Sequence, residues 1–218
     1  SYGKSRLRSI MRSKDRLISQ FSKILVYLFE KGGMDKRTKL MKTAKKLFAE
    51  YGFYGTATAR IAKDAGVSNG ILFHYFPTKD ELIRAMYFDV KDRLFEYSLS
   101  QIYKGATLKE SIYTLWLAAV EWNLENQEDF GFMLQFENSP FYSVEIERSH
   151  RYVQMNIELA EKGINEGVFK NITPLLLFQV MSSMVQTTVH FLHNNSHYQQ
   201  DVEYKNRLFE IAWDAIKK

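Results

Sequence analysis

Apolar residues recur three and four positions apart along nearly the whole chain from Asp35 onward, and no stretch keeps the two-residue alternation of a half-buried strand. Punctuation is sparse enough to let that period run, with three prolines and eleven glycines in 218 residues. Both residue types are poorly tolerated inside helices, so their scarcity permits long ones. The period predicts helices at about 35–51, 58–65, 69–75, 79–103, 107–125, 127–137, 141–166, 173–194 and 200–217. Gly52, Gly66, Gly105, Asn126, the Asn138-Ser139-Pro140 turn, Gly167 and Asn194-Asn195 mark the breaks. The expected fold is all-α. No run of about 18 uncharged apolar residues occurs, so no membrane span is expected. The chain has no cysteine, which removes disulfides and thiolate chemistry and suits a reducing cytoplasm.

Charge is placed unevenly. Residues 1–33 hold eight Lys/Arg against two Asp/Glu, residues 34–80 nine against four, and residues 81–218 thirteen against nineteen. A basic N-terminal third on an acidic remainder suggests that one end meets a polyanion, although short segments also vary in charge by chance. Residues 1–33 are read as a basic, partly amphipathic N-terminal extension. It is either an appendage or sequence upstream of an ordered domain that opens near Met34; a membrane-surface helix is a third reading. Its apolar stretch Phe21–Phe29 is broken by Lys23 and lacks the cleavage site of a signal peptide.

Residues 34–80 read as a compact helical unit. Leu40, Ala44, Leu47, Phe48 and Tyr51 form one stripe on the first helix, with Lys36, Arg37, Lys39, Lys42, Lys45 and Lys46 mostly off it. Gly52 ends that helix. Residues 58–76, TARIAKDAGVSNGILFHYF, then give two short helices joined by a tight turn at Gly66, which is the helix-turn-helix pattern. A hydroxyl of Thr56 or Thr58 is expected to cap the first motif helix and Ser68 the second. Ile61, Ala62, Ala65, Val67 and Leu72 face inward. That leaves Asn69, Gly70, Phe73 and His74 outward, placed for a major groove. Pro77 and Thr78 open the next helix.

The stretch Thr38–Leu82 resembles the DNA-binding domain of the tetracycline-repressor (TetR) family. The matching pieces are LMKTAKKLFAEYGF, IAKDAGVSNGILFHYF and PTKDEL. The resemblance implies an N-terminal three-helix helix-turn-helix DNA-binding domain (34–80) followed by a C-terminal helical ligand-binding and dimerisation bundle (81–218). It also implies a homodimer on double-stranded operator DNA, with repression relieved by a small hydrophobic ligand. Carried over residue by residue, the DNA-contacting positions are Thr58, Ala59, Ser68, Asn69, Gly70, Ile71, Phe73, His74 and Tyr75, with Lys79 on a phosphate. Ile71 and Phe73 depart from the hydroxyl residue and tyrosine frequent in the family, and Arg60 stands where an acid is common. Phe73 and Tyr75 also read as core aromatics, and Lys42, Lys45 and Lys46 as a solvated face.

For the ligand, the candidates are Trp116, Trp122, Phe132, Met133, Phe136, Phe141, Tyr142, Met155, Phe178, Met181 and Met184, each also readable as ordinary core. Glu121 or Glu137 would meet a polar or cationic group of the ligand, and both acids equally read as surface residues. Leu176, Val180, Ser183, Met184 and Thr187, with Leu208, Ile211, Ala212 and Ala215, offer dimer faces. No nucleophile elbow, phosphate loop or paired carboxylates suggest an enzyme. His190, His193 and His197 read as solvated or interfacial residues before a metal site, and no cofactor is expected. The rival reading is an architectural DNA-binding protein without an inducer.

Overall fold

The structure is a computed structural model that describes residues 35–103, 106–143, 147 and 149–218. The 1–33 extension and the break at Gly105 fall outside them. The helices are α1 (Lys36–Gly55), α2 (Thr58–Asp64), α3 (Asn69–Tyr75), α4 (Lys79–Gln101), α5 (Leu108–Glu125), α6 (Gln127–Glu137), α7 (Arg151–Asn165), α8 (Pro174–Asn194) and α9 (Val202–Ile216), with a 3-10 turn at Ser196–Tyr198. Among the described residues the only β feature is an isolated bridge between Phe169 and Lys217. There the Lys170 amide donates to the Ile216 carbonyl and the Lys218 amide to that of Val168, both at 2.9 Å, which ties the C-terminus to the α7–α8 connection.

Helix α1 buries Leu40, Ala44, Leu47 and Phe48 as its period requires. Gly52 breaks it with φ 71° and ψ 172°, a conformation open essentially to glycine alone. The break turns Phe53 back into the core. The fully buried Thr56 hydroxyl lies 3.1 Å from the Leu47 carbonyl and 2.9 Å from that of Gly52, so it serves the end of α1. It therefore does not cap α2, and neither does Thr58. The cap position is Ala57, whose side chain has no oxygen to offer. Ser68 and Thr78 do cap: their hydroxyls accept from the amides of Ile71 (3.3 Å) and Glu81 (3.1 Å). Gly66 takes φ 67° at the turn. Ile61, Ala62, Ala65 and Leu72 close the small core beneath α2 and α3.

Helix α4 has 23 residues, about 35 Å at 1.5 Å per residue, and leads from this unit into the larger bundle. It packs against α5, α6 and α7, while α8 packs against α5, α7 and α9. A reciprocal Thr107–Glu110 capping box starts α5. Helix α8, 21 residues long, is apolar enough by length and composition to cross a bilayer, with a mean hydropathy of 1.3. Part of that apolarity packs against three helices, but only 28 % of the apolar window is buried within the chain. Of the helix expected at 141–166, the described residues show α7 over Arg151–Asn165, and Glu147 is helical ahead of it, its amide donating to the Ser143 carbonyl at 3.1 Å. The Ser139 hydroxyl donates to the Phe136 carbonyl (2.7 Å) and accepts from the Phe141 amide (3.3 Å), which prolongs the turn after α6. His150 Nδ1 then caps α7 by accepting from the Tyr152 amide at 3.2 Å.

Helix α6 joins the two parts. The buried Asp129 carboxylate in its first turn accepts from Lys45 of α1 at 2.5 Å and from Arg93 of α4 at 2.6 Å. Gln135 of α6 donates to the Phe48 carbonyl at 3.3 Å. Beside these, the Phe53 ring meets Phe132 and Phe141 edge-on at 5.8 and 5.5 Å. Burial works against ionisation of Asp129, but the hydrogen bonds from Arg93 and Lys45 outweigh it and hold the carboxyl below the usual range.

Two outcomes follow for thermal denaturation. Gly52→Ala lowers stability by about 1–3 kcal/mol through its positive φ, whereas Gly131→Ala, in α6 with nothing within 4 Å of an added Cβ, raises it by roughly 0.5–1 kcal/mol. A depressed carboxyl contributes stability present above its unfolded pKa and lost as pH falls through the folded one. The stability that Asp129 supplies is thus lost below about pH 4, and Asp129→Asn flattens that part of the acid limb.

Candidate nucleic-acid interface and internal cavity

Helix α3 has one anchored side and one free side. Leu72 and the following Phe76 are buried, at 0 % and 2 % exposure. Asn69, Gly70, Phe73 and His74 are exposed, at positions that share a helix face. Phe73 is 43 % exposed, so its ring is not part of the core. Tyr75 is half-buried against the core and meets His74 edge-on at 5.4 Å. Ile71 is half-buried on the flank, and Ser68 is exposed at the cap. In α2, Thr58 is half-buried and Ala59 exposed. Lys79 is half-buried at the start of α4, where desolvation depresses its pKa.

The cations around this face differ in their freedom. Lys36, Lys39, Lys42, Lys46 and Lys63 are exposed. Arg37 lies 5.3 Å over the Phe76 ring. Arg60 stacks 4.2 Å over Tyr51, donates to its hydroxyl at 3.1 Å and reaches Asp64 at 3.7 Å. Its charge is therefore partly engaged. Lys45 is half-buried and turned to Asp129. Sequence reasoning missed that joint, because no short-range pattern links residues 84 positions apart.

An internal cavity lies between α4, α5, α6, α7, α8 and the end of α9. It leaves about 80 Å³ for the centres of water-sized molecules, room for several waters or for part of a small molecule. Four of the sequence candidates line it: Trp116, Met133, Phe178 and Met181. The others do not. Phe132 and Phe141 turn to Phe53 at the joint with α1. Phe136 stacks on Tyr87 at 4.2 Å, and Tyr142 donates to Glu147 at 2.6 Å. Trp122 is buried with Arg93 over its ring at 5.6 Å. Met155 and Met184 are half-buried against the core. Helix phase decides this: on α6 the cavity takes Phe130, Met133, Leu134 and Glu137, and the joint takes Asp129 and Phe132. Glu121 also lies off the cavity and accepts from Lys205 at 2.8 Å.

The polar end of the cavity contains Lys91, Asn123, Glu137 and Gln186. Lys91 Nζ is 3.4 Å from one Glu137 oxygen, and Gln186 donates to the other at 2.8 Å. Burial opposes the Lys91 charge, but Tyr87, Glu137 and Glu147 hold the ammonium above its ordinary pKa. Burial pushes the Tyr87 phenol up to about 12. A signal for Lys91 and Asn123 exists in the sequence: each falls in phase with buried apolar neighbours, Tyr87 and Leu94 for the first and Trp116 and Ala119 for the second.

Helices α8 and α9 leave an outward stripe. Leu176 and Ile211 are exposed, as are the smaller Ser183 and Thr187; Val180, Met184, Leu208 and Ala215 are half-buried. Ala212 is buried within the chain and is not available to a partner, because it faces inward with Phe209 and Trp213. His190 lies edge-on to Phe130 at 5.4 Å, and His197 against Tyr198 at 4.0 Å.

Known proteins share this fold. Residues 40–86 match the family described as bacterial regulatory proteins, tetR family. The chain is 30 % identical over 122 residues to the HTH-type transcriptional regulator YuxN of Bacillus subtilis, covering 56 % of this chain and 42 % of that protein. The chain thus spans less than half of that relative. It is 27 % identical over 140 residues to the HTH-type transcriptional repressor KstR2 of Mycobacterium tuberculosis, covering 62 % and 70 %. Among solved structures, a tetR-family regulator from Shewanella sp. PV-4 superposes with a TM-score of 0.80 at 25 % identity, over 85 % of this chain and all of that one. One from Marinobacter aquaeolei VT8 gives 0.73 at 26 %, over 84 % and 96 %. The matched segment holds the helix-turn-helix, and the likeness to whole solved tetR-family regulators carries through α4 into the helical bundle.

Proposed function

We propose that the protein is a dimeric, DNA-binding transcriptional repressor released from its operator by a small molecule held in the internal cavity. The observation that carries this is α3, a short helix pinned from below by Leu72 and Phe76 that presents Asn69, Gly70, Phe73 and His74 outward. A rigid helix with a free polar face fits the major groove. Asn69 and His74 read base edges, and Ile71 touches a thymine methyl. Ser68, Thr58, Ala59, Tyr75 and Lys79 lie against the phosphate backbone, where contacts set affinity and not sequence preference. Residues 34–80 form the DNA-binding domain and 81–218 the effector and dimerisation domain. The α8–α9 stripe pairs two copies about a two-fold axis, which puts two α3 helices on successive grooves.

Likeness to KstR2, a protein named as a repressor, supports repression. A cysteine-free regulator that works on DNA belongs in the cytoplasm and acts by binding, without catalysis. The cavity gives the effector its place, and α6 gives it a route. One face of α6 lines the cavity and another holds α1 through Asp129, Gln135 and Phe132. An effector that favours a shifted α6 moves α1 and with it α3; one that binds both seats equally shifts nothing. An architectural role without an effector accounts for α3 but not for the cavity.

The test is selection of a preferred duplex from a random library, followed by fluorescence anisotropy on that duplex and a shuffled one across a salt series. Asn69→Ala and His74→Ala each weaken the preferred duplex roughly ten-fold and leave the shuffled one unchanged. Lys79→Ala weakens both alike and lowers the salt slope by about one. Equal affinity of the unmodified protein for both duplexes overturns sequence-specific regulation.

A further inference from the structure

We infer that the cavity takes an uncharged, elongated apolar molecule with a hydroxyl or carbonyl oxygen near each end, an inference that rests on the effector reading above. Two residues of the cavity wall keep a buried polar atom without a hydrogen-bond partner among the described residues: Trp116 through Nε1 and Asn123 through Oδ1. Their side chains are 98 % and 97 % buried by residue exposure of 2 % and 3 %. Native interiors leave few such atoms unpaired, and each carries a desolvation cost that a ligand can relieve. The two sit seven residues apart on α5, about 10 Å along the helix axis. Between and around them the wall is apolar: Leu115, Ala119, Leu177 and Phe178.

The hydrogen-bonding inventory fixes the head-group chemistry. Trp116 Nε1 is a donor and needs an acceptor. Asn123 Oδ1 is an acceptor and needs a donor, its Nδ2 being already committed to the Ala119 carbonyl at 2.7 Å. Among the described residues the Lys91 ammonium lies 3.4 Å from Glu137 and 5.2 Å from the centre of the Tyr87 ring, which leaves an N–H group to spare. A hydroxyl donates and accepts, and so serves all three; a carbonyl oxygen serves Trp116 or Lys91. A carboxylate only accepts. It leaves Asn123 unpaired and brings a further negative charge to an ammonium already faced by Glu137, with Glu147 also in its field. An ammonium only donates. It leaves Trp116 and Lys91 unmatched and repels the buried Lys91 charge.

The experiment uses the full chain and four eight-carbon probes of one tail length: octanediol with a hydroxyl at each end, octanol, octanoate and octylamine. Binding is measured by isothermal titration calorimetry, and release of the selected duplex by anisotropy. Octanediol is expected to bind tightest, at least ten-fold ahead of octanoate and octylamine, and to release the duplex. Trp116→Phe and Asn123→Leu, checked for the parent's helical circular dichroism, each weaken octanediol about three- to ten-fold and bring it towards octanol. Octanoate or octylamine matching octanediol in the unmodified chain overturns the uncharged-ligand inference and leaves the effector reading standing. So does octanediol binding that neither substitution changes. If none of the four binds a protein that still holds its duplex, the effector reading itself is overturned.

Discussion

The Asp129 carboxylate is buried where α1, α4 and α6 meet, and a buried charge is tolerated only with partners of opposite sign in good geometry. Its two partners come from different helices, Lys45 and Arg93, at 2.5 and 2.6 Å. Short charge-assisted hydrogen bonds are directional, so they fix where α6 sits on α1. The neighbouring rings of Phe53, Phe132 and Phe141 fill the space but accept several arrangements. The joint is therefore specific in position and adaptable in packing, and it allows one helix to be wall of the cavity and seat of the helix-turn-helix together.

Gly52 is the second constraint on that joint. Its backbone conformation kinks α1 and turns Phe53 towards α6, and the Thr56 hydroxyl is shared between the Leu47 and Gly52 carbonyls beside the kink. Without the break, Phe53 would continue along α1 and the aromatic contacts to the bundle would be lost. The same segment thus closes the small N-terminal core and anchors it to the rest of the chain. Farther along, the cavity wall combines large apolar side chains with Lys91 and Asn123.

The helix-turn-helix was legible because each of its signals is local. Gly66 supplies a turn, Ser68 and Thr78 supply caps, and Leu72 and Phe76 fall on the inward phase of their helix. The cap expected from Thr56 or Thr58 was lost to a partner outside that window, since the Thr56 hydroxyl serves α1. On α6, residue type alone put Phe132 and Phe136 beside Met133 as cavity candidates, whereas their angular positions on the helix send them to Phe53 and Tyr87.

By itself the sequence determined the all-α fold, the helix-turn-helix and the outward face of α3, because helical period, caps and turn glycines act between residues a few positions apart. Tertiary structure alone decided which side chains line the cavity, which acid meets Lys45, and that Glu137 is matched to Lys91 and Glu121 to Lys205. Those pairings join residues from 46 to 84 positions apart. They depend on how the helices are rotated and seated against one another, and no local pattern in the chain encodes that.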